Sequence, residues 1–412
     1  MINTDFIRNS FYTILIIVAI WLSFIAGSIQ DINLINTVTY ILLAILCLYT
    51  IYDSKDFREI FFDKKDLFLW AYLLILTVSS SLALNKIIAL NRFRNYAIPI
   101  LILYYFFKKI GIFLKNRFIK KALFVCVLAD IVAFIAILEI LFHKNIFYEN
   151  IFKNIWYRVY LVQGRAMSTQ AVPAVLGTYL LACIPFSYYI SFNAKKNLLK
   201  IFGIASAILC VIGLILTFSR GSFVGLIVLS IFYFYKRNRK FIIYLILTTF
   251  FLISIFSFFK SKNVERFSLK GLSSKGIYEY RIARFITTFN ILKKRPFIGV
   301  GLDNFRPSFN KYSPRARANY YANYLVKIAD NMHLTILAES GIFAYLAFIF
   351  FVSSLLIRGY SCNSEMCLVL SAGIFGMLFN MLTYDLLYWT VPFYIFWIYC
   401  GMLSSLTLKK DI

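Results

Sequence analysis

The chain has 412 residues, 61% of them hydrophobic and 15% charged, with a mean hydropathy of +0.76. Soluble domains run near 45–50% apolar and about 25% charged, so a water-exposed fold cannot absorb this excess and the bilayer must serve as solvent. The formal net charge of +26 hints at nucleic acid, but in so apolar a chain membrane orientation accounts for the basic residues better.

Taken in chain order, about twelve apolar runs suit a helical crossing of about 30 Å of hydrocarbon, near residues 11–29, 33–52, 67–84, 95–110, 122–142, 171–191, 201–219, 221–235, 241–259, 334–357, 367–386 and 388–407. The first run follows MINTDFIRNS without a small-residue cleavage site, so it reads as a retained helix rather than a signal peptide. Lys and Arg crowd the short loops on one side, among them Lys108, Lys109, Lys120, Lys121, Lys236 and Arg237. That bias puts both termini in the cytoplasm. The expected fold is an all-α integral membrane protein. It forms a single polytopic domain over residues 1–412, with about 12 transmembrane helices and one large outward-facing helical loop, residues 260–332, between helices 9 and 10.

That loop carries fifteen basic residues against Glu265, Glu279, Asp303 and Asp330. Two readings stand side by side: attraction to anionic lipid headgroups, and a site for an anionic substrate carried at the membrane surface. Within it, YEYRIARFITTFNILKKRP (residues 278–296) has the pattern of an interfacial helix. Ile282, Phe285, Ile286 and Phe289 recur at helical spacing, Arg281, Arg284 and Lys293 mark the polar side, and Pro296 ends the run. GVGLDNF (299–305) lacks the lysine and serine of a phosphate loop and reads as a turn that re-aims the chain. A second helix is expected over 314–327 with Ser313 as N-cap, carrying Tyr320, Tyr321 and Tyr324 as interfacial belt residues or as faces for sugar rings.

The seven cysteines fall in apolar runs or in the inner loop, so no outer disulfide framework is expected. With only His143 and His333 to add, no metal site is expected either. Arginine is the better signal. TFSRGSFVG (217–225) places Arg220 at a break between two apolar runs, and QGRAMSTQAVP (163–173) places Arg165 at the start of another. A guanidinium stays charged and grips phosphate bidentately, so arginines converging at one membrane face suit a pyrophosphate, although single arginines at helix ends also snorkel.

The ordered set TFSRG, YRIARF, KKRPFIGVGLDNF and ADNMHLTILAESG resembles the O-antigen ligase and O-antigen polymerase superfamily, with the core of the resemblance over residues 165–345. The resemblance implies a metal-independent, cofactor-free membrane glycosyltransferase. It would move a glycan from undecaprenyl pyrophosphate to a hydroxyl acceptor on the outer side of the bacterial inner membrane. The acceptor is lipid A core in ligases and another lipid-linked repeat unit in polymerases. It further implies that Arg220 and Arg281 hold the pyrophosphate as the sugar bond breaks, with Arg165, Arg284, Asn331, Tyr320 and Tyr324 in substrate binding. Ligases carry His-Asn where this chain has Asp330-Asn331. Asp330 is therefore the expected base, with His333 three residues on as neighbour or substitute, and the departure tilts the reading toward polymerase.

Asp130 and Glu139, inside an apolar run, support a different class. They either pair with Arg92 or Arg94, or relay protons in a lipid-linked glycan flippase, although no inverted repeat accompanies them. Asp385, near the end of the eleventh run, faces either the transfer site or a counter-charge. Membrane lipids are expected partners and nucleic acid is not.

Overall fold

The computed structural model describes residues 17–25, 63–114, 118–145, 156–170, 172–237, 275–313 and 329–408, and among these residues the regular structure is entirely helical. The apolar runs near 33–52 and 241–259, the helix expected over 314–327 with Tyr320 and Tyr324, and much of the start of the basic loop lie outside the described residues.

The apolar runs become helices with shifted ends. Helix α1 (Leu67–Ser81) follows a buried Asp66, and α2 (Lys86–Leu114) extends the short run at 95–110 into 29 residues with Pro99 inside. Lys108 of α2 is buried and stabilised by Asp63 at 3.1 Å and Asp66 at 2.6 Å, and Tyr104 donates to the same Asp66 at 2.6 Å. A charge at that depth persists only with partners of this kind. Next come α3 (Phe118–Phe142), the short α4 (Trp156–Val162), α5 (Pro173–Asn193) with proline at its first turn, and α6 (Asn197–Leu216). Helix α7 (Arg220–Arg237) starts three residues past α6, so the adjoining runs at 201–219 and 221–235 are two helices joined at a break.

Helices α8 (Lys275–Lys294) and α9 (Phe305–Tyr312) precede α10 (Met332–Ser361), α11 (Glu365–Asn380) and α12 (Thr390–Leu408). Lys236 at the end of α7 donates to the carbonyls of Tyr360 and Cys362, capping the end of α10 with positive charge. Among the described residues five helices are long and apolar enough to cross a membrane: α3, α5, α6, α10 and α12, the last over Thr390–Thr407. Helix α12 packs along α2, α10 along α1, and α7 along α11, while α5 is mostly buried against α3, α6 and α11.

Two interruptions organise this bundle. The first is Thr217–Phe218–Ser219, between α6 and α7, where Phe218 adopts φ 48°. The second lies inside α10 at Gly341, with φ 80° and ψ 178°. The turn between α8 and α9 fills the second. Val300 donates to the carbonyl of Ala338 at 3.0 Å, Gly301 to that of Glu339 at 2.8 Å, and Ile342 donates back to Pro296 at 2.8 Å. Ser79 of α1 closes the seam by donating to both Ile298 and Glu339 carbonyls, at 2.7 and 3.0 Å. Non-helical backbone survives among membrane helices only when protein satisfies its polar groups, and here another stretch of main chain does so. A Cβ on Gly341 would lie 2.2 Å from the Phe297 oxygen, so both the positive φ and the close approach demand glycine.

Candidate functional site

The GVGLDNF segment is a turn, with Gly299 at φ 62°, Gly301 at φ 99° and Asp303 at φ 57°. By seating in the α10 break it fixes α8 against the beginning of α10. There the geometry departs from the simple amphipathic reading of α8. Arg281 is exposed as expected of the polar side, but Arg284 turns inward, with a side chain only 4% exposed, and donates through Nη1 to Oδ2 of Asp330. Phe285, Ile286 and Phe289 stay exposed, an apolar face suited to lipid, while Ala283, Thr287 and Thr288 are buried.

Asp330 itself sits at φ 54°, just before α10, and its side chain remains 31% exposed. Asn331 is the N-cap of α10: its Oδ1 accepts from the Leu334 amide at 3.2 Å and its Nδ2 donates to the Leu382 carbonyl at 2.9 Å. Met332 adds a backbone bond to Met381 at 2.9 Å. The α11–α12 connection therefore wraps the start of α10. It carries Asp385, which lies past the end of α11 and is fully buried, accepting a hydrogen bond from Thr335. Burial pushes the Asp385 carboxyl up to about 7, against the pull of the Thr335 hydroxyl and the charge of Arg284. Arg284 is thus shared electrostatically by two carboxylates, one reachable and one enclosed.

His333 faces elsewhere. Its Nε2 lies 3.1 Å from the Leu378 carbonyl and its Nδ1 lies 3.5 Å from the Tyr345 hydroxyl. Of the expected pair, Asp330 meets Arg284 and His333 is occupied against α11.

The other arginines gather at the α6–α7 break. Arg165 donates through Nε to the Thr217 carbonyl at 3.0 Å, Ala166 bonds the Leu216 carbonyl at 2.9 Å, and the guanidinium packs over Tyr160 at 5.6 Å. Arg220 opens α7 from the other side of the break, half-buried. The two readings of the sequence thus converge on one three-residue gap. Gly221 explains how the gap meets the rest: a Cβ there would lie 1.7 Å from Thr383 Oγ1 and 2.4 Å from Asn380 Oδ1, so only glycine lets α7 touch the α11–α12 connection. Tyr384 completes the bridge, since Tyr160, Arg165 and Asp385 all act on its hydroxyl, which burial pushes upward.

Several partners leave no mark in the sequence. Asp385 was noticed without its partner Thr335, 50 residues away. Glu339 went unremarked. It is buried, accepting from the Phe305 amide at 3.3 Å and from the Tyr388 hydroxyl, with the Arg92 guanidinium 4.1 Å above the Tyr388 ring. Arg92 therefore stacks on an aromatic in this structure. Asp130 accepts from Ser206 at 2.8 Å. Glu139 accepts from the amides of Met167 and Ser168 at 2.9 and 2.6 Å, which anchors the loop holding Arg165. In the sequence its signal is its place, with Asp130, inside an otherwise apolar run. Among the described residues no His, Cys, Asp and Glu gather in threes that could hold a metal ion.

Apolar spanning helices with basic and acidic groups collected at one end of the bundle define a multi-pass membrane protein with a charged end-face site. Residues 205–349, about a third of the chain, match the family model described as O-antigen ligase, which bears out the resemblance to the O-antigen ligase and polymerase superfamily. No curated protein matches the chain. The matched stretch holds Arg220, the α8 arginines, the α8–α9 turn, Asp330 and the α10 break, while Arg165 and the connection carrying Asp385 lie outside it. The match supports membrane glycan processing of the ligase and polymerase type, with lipid-linked glycans and polysaccharide as partners in general.

Proposed function

We propose that this protein is a glycosyltransferase that moves a glycan from undecaprenyl pyrophosphate to a hydroxyl acceptor at the outer face of the bacterial cytoplasmic membrane, extending a lipid-linked polysaccharide. The observation that carries this reading is the convergence of Arg165 and Arg220 on one break and of Arg284 and Asp330 beside it, joined by the 380–385 connection. The acceptor oxygen attacks the anomeric carbon while the bond from that carbon to the pyrophosphate oxygen breaks. Arg220, Arg165 and Arg281 offset the charge that grows on the leaving pyrophosphate. Asp330, the reachable carboxylate, takes the hydroxyl proton, and Arg284 orients it. Asp385 stands behind both, close enough to Arg284 to tune that pair without touching substrate.

The polymerase form rests on Asp330 standing where ligases carry histidine. Reconstitution of the purified protein with an undecaprenyl-pyrophosphate-linked repeat unit as sole substrate tests it. A ladder of longer lipid-linked glycans is expected. Transfer only after lipid A core is added to the same vesicles would make the protein a ligase, and silence in both would overturn glycosyl transfer.

A further inference from the structure

At the membrane face opposite the candidate site lies a second feature that the transfer reaction does not use. Glu139, near one end of α3, holds the Arg165 loop, while Lys120 and Lys121 stand at the other end, about 27 Å away along the helix axis. Beside these lysines a cavity of about 390 Å³ opens between the helix around residues 17–25, α2, α3, α5 and α12. Its walls are Leu22, Phe107, Leu128, Phe186, Ile398 and Met402, with Lys120 and Lys121 at the rim.

The polar groups in the wall have found each other. Ser23 and Tyr179 share a hydrogen bond at 2.7 Å, and Tyr399 donates to the Ala182 carbonyl at 2.9 Å. A sugar or nucleotide would find no partners inside, and an apolar space of this kind holds water poorly. An unbranched hydrocarbon chain fits. The mouth is different: Lys120 is exposed and Lys121 half-exposed, two ammonium groups on successive residues where an apolar slot meets the headgroup region. Together, an apolar slot with a cationic rim is complementary to an acyl chain that ends in a phosphate.

We infer that this cavity is a binding site for an anionic glycerophospholipid of the leaflet opposite the candidate site, one acyl chain in the slot and the headgroup phosphate on Lys120 and Lys121. The inference rests on the membrane reading of the helices and is independent of the transfer chemistry.

Native mass spectrometry of the full-length protein, offered phosphatidylglycerol and phosphatidylcholine of identical chains in equal amounts, tests it. Phosphatidylglycerol should be retained preferentially, and Lys120→Gln with Lys121→Gln should reduce that preference by about fivefold for each lysine. Both lysines sit at the exposed start of α3, so the double variant should fold. Val125→Trp, at a half-exposed position in the wall, should lower retention of both lipids by occupying the slot. Equal retention of the two lipids by the unaltered protein, an undiminished preference in the lysine variant, or displacement of the lipid by inorganic phosphate would each overturn the assignment.

Discussion

A break between two helices and a break within one make an instructive pair. At Thr217–Ser219 the chain breaks between α6 and α7; the Ala166 amide takes the Leu216 carbonyl, but a charged side chain, Arg165, answers for the buried Thr217 carbonyl, and Arg220 begins the next helix. At Gly341 the chain breaks inside α10, and main chain answers: residues 296–301 supply amides to Ala338 and Glu339 and a carbonyl to Ile342. A side-chain solution leaves charged groups gathered where an anion can bind. A main-chain solution is consumed in holding itself together and has only rigidity to offer. In the proposed reaction the first interruption therefore supplies the anion-binding groups, and the second supplies a fixed platform for Asp330 and Arg284.

This contrast fails most visibly if the second break is removed. Gly341→Val adds a Cβ 2.2 Å from the Phe297 oxygen at a φ of 80°, a strain of about 3 kcal/mol before any repacking. The thermal midpoint of the purified protein should drop sharply, and a near-normal midpoint would mean the platform is not rigid. At Arg220 of the first break and Arg281 of α8 the expected loss is of activity, not of fold. Arg220→Lys and Arg281→Lys should each cost about 100-fold in glycan transfer while membrane insertion is unchanged, because lysine keeps the charge and loses the bidentate grip. Near-normal transfer by both variants would end the pyrophosphate assignment.

Between the two breaks sits the choice of base. Asp330→Asn should slow transfer more than His333→Ala, since Asp330 meets Arg284 while His333 is engaged by Leu378 and Tyr345. The reverse ranking would move the base to the histidine. The smallest effect belongs to Asp385. Its folded carboxyl sits at about 7 against an ordinary value of 3.8, so the folded protein holds an extra proton between those values. That contribution to stability is complete below pH 3.8 and fades as pH rises through about 7. Asp385→Asn should flatten the fall in thermal midpoint across that window, and an unaltered pH profile would show that the carboxyl does not titrate there.

Much of this was legible before any coordinates. Hydropathy exposes the helical membrane fold, and TFSRG, the GVG turn and ADNMH mark the segments that assemble the candidate site, because breaks, arginines and glycines leave marks in a linear string. The pairings did not. Arg284 sits at a position that amphipathic spacing assigns to the polar side, and only the docking of α8 turns it toward Asp330. Asp385 and Thr335 meet because the α11–α12 connection folds over the start of α10, and no local pattern encodes that. The apolar run stops at 95 because Arg92, Arg94 and Asn95 interrupt it, whereas the helix runs through them and stacks Arg92 on Tyr388.

The seating of residues 296–301 in α10 also bears on how such a protein diversifies. The hydrogen bonds there belong to peptide groups and ask of Phe297, Ile298 and Val300 only size and greasiness, whereas Gly299, Gly301 and Gly341 are each held to one residue type. The joint is thus strict at its glycines and lenient at the apolar residues beside them. Lineages can exchange those apolar residues, and with them the surroundings of the neighbouring arginines, without dismantling the scaffold that keeps Arg284 and Asp330 in register.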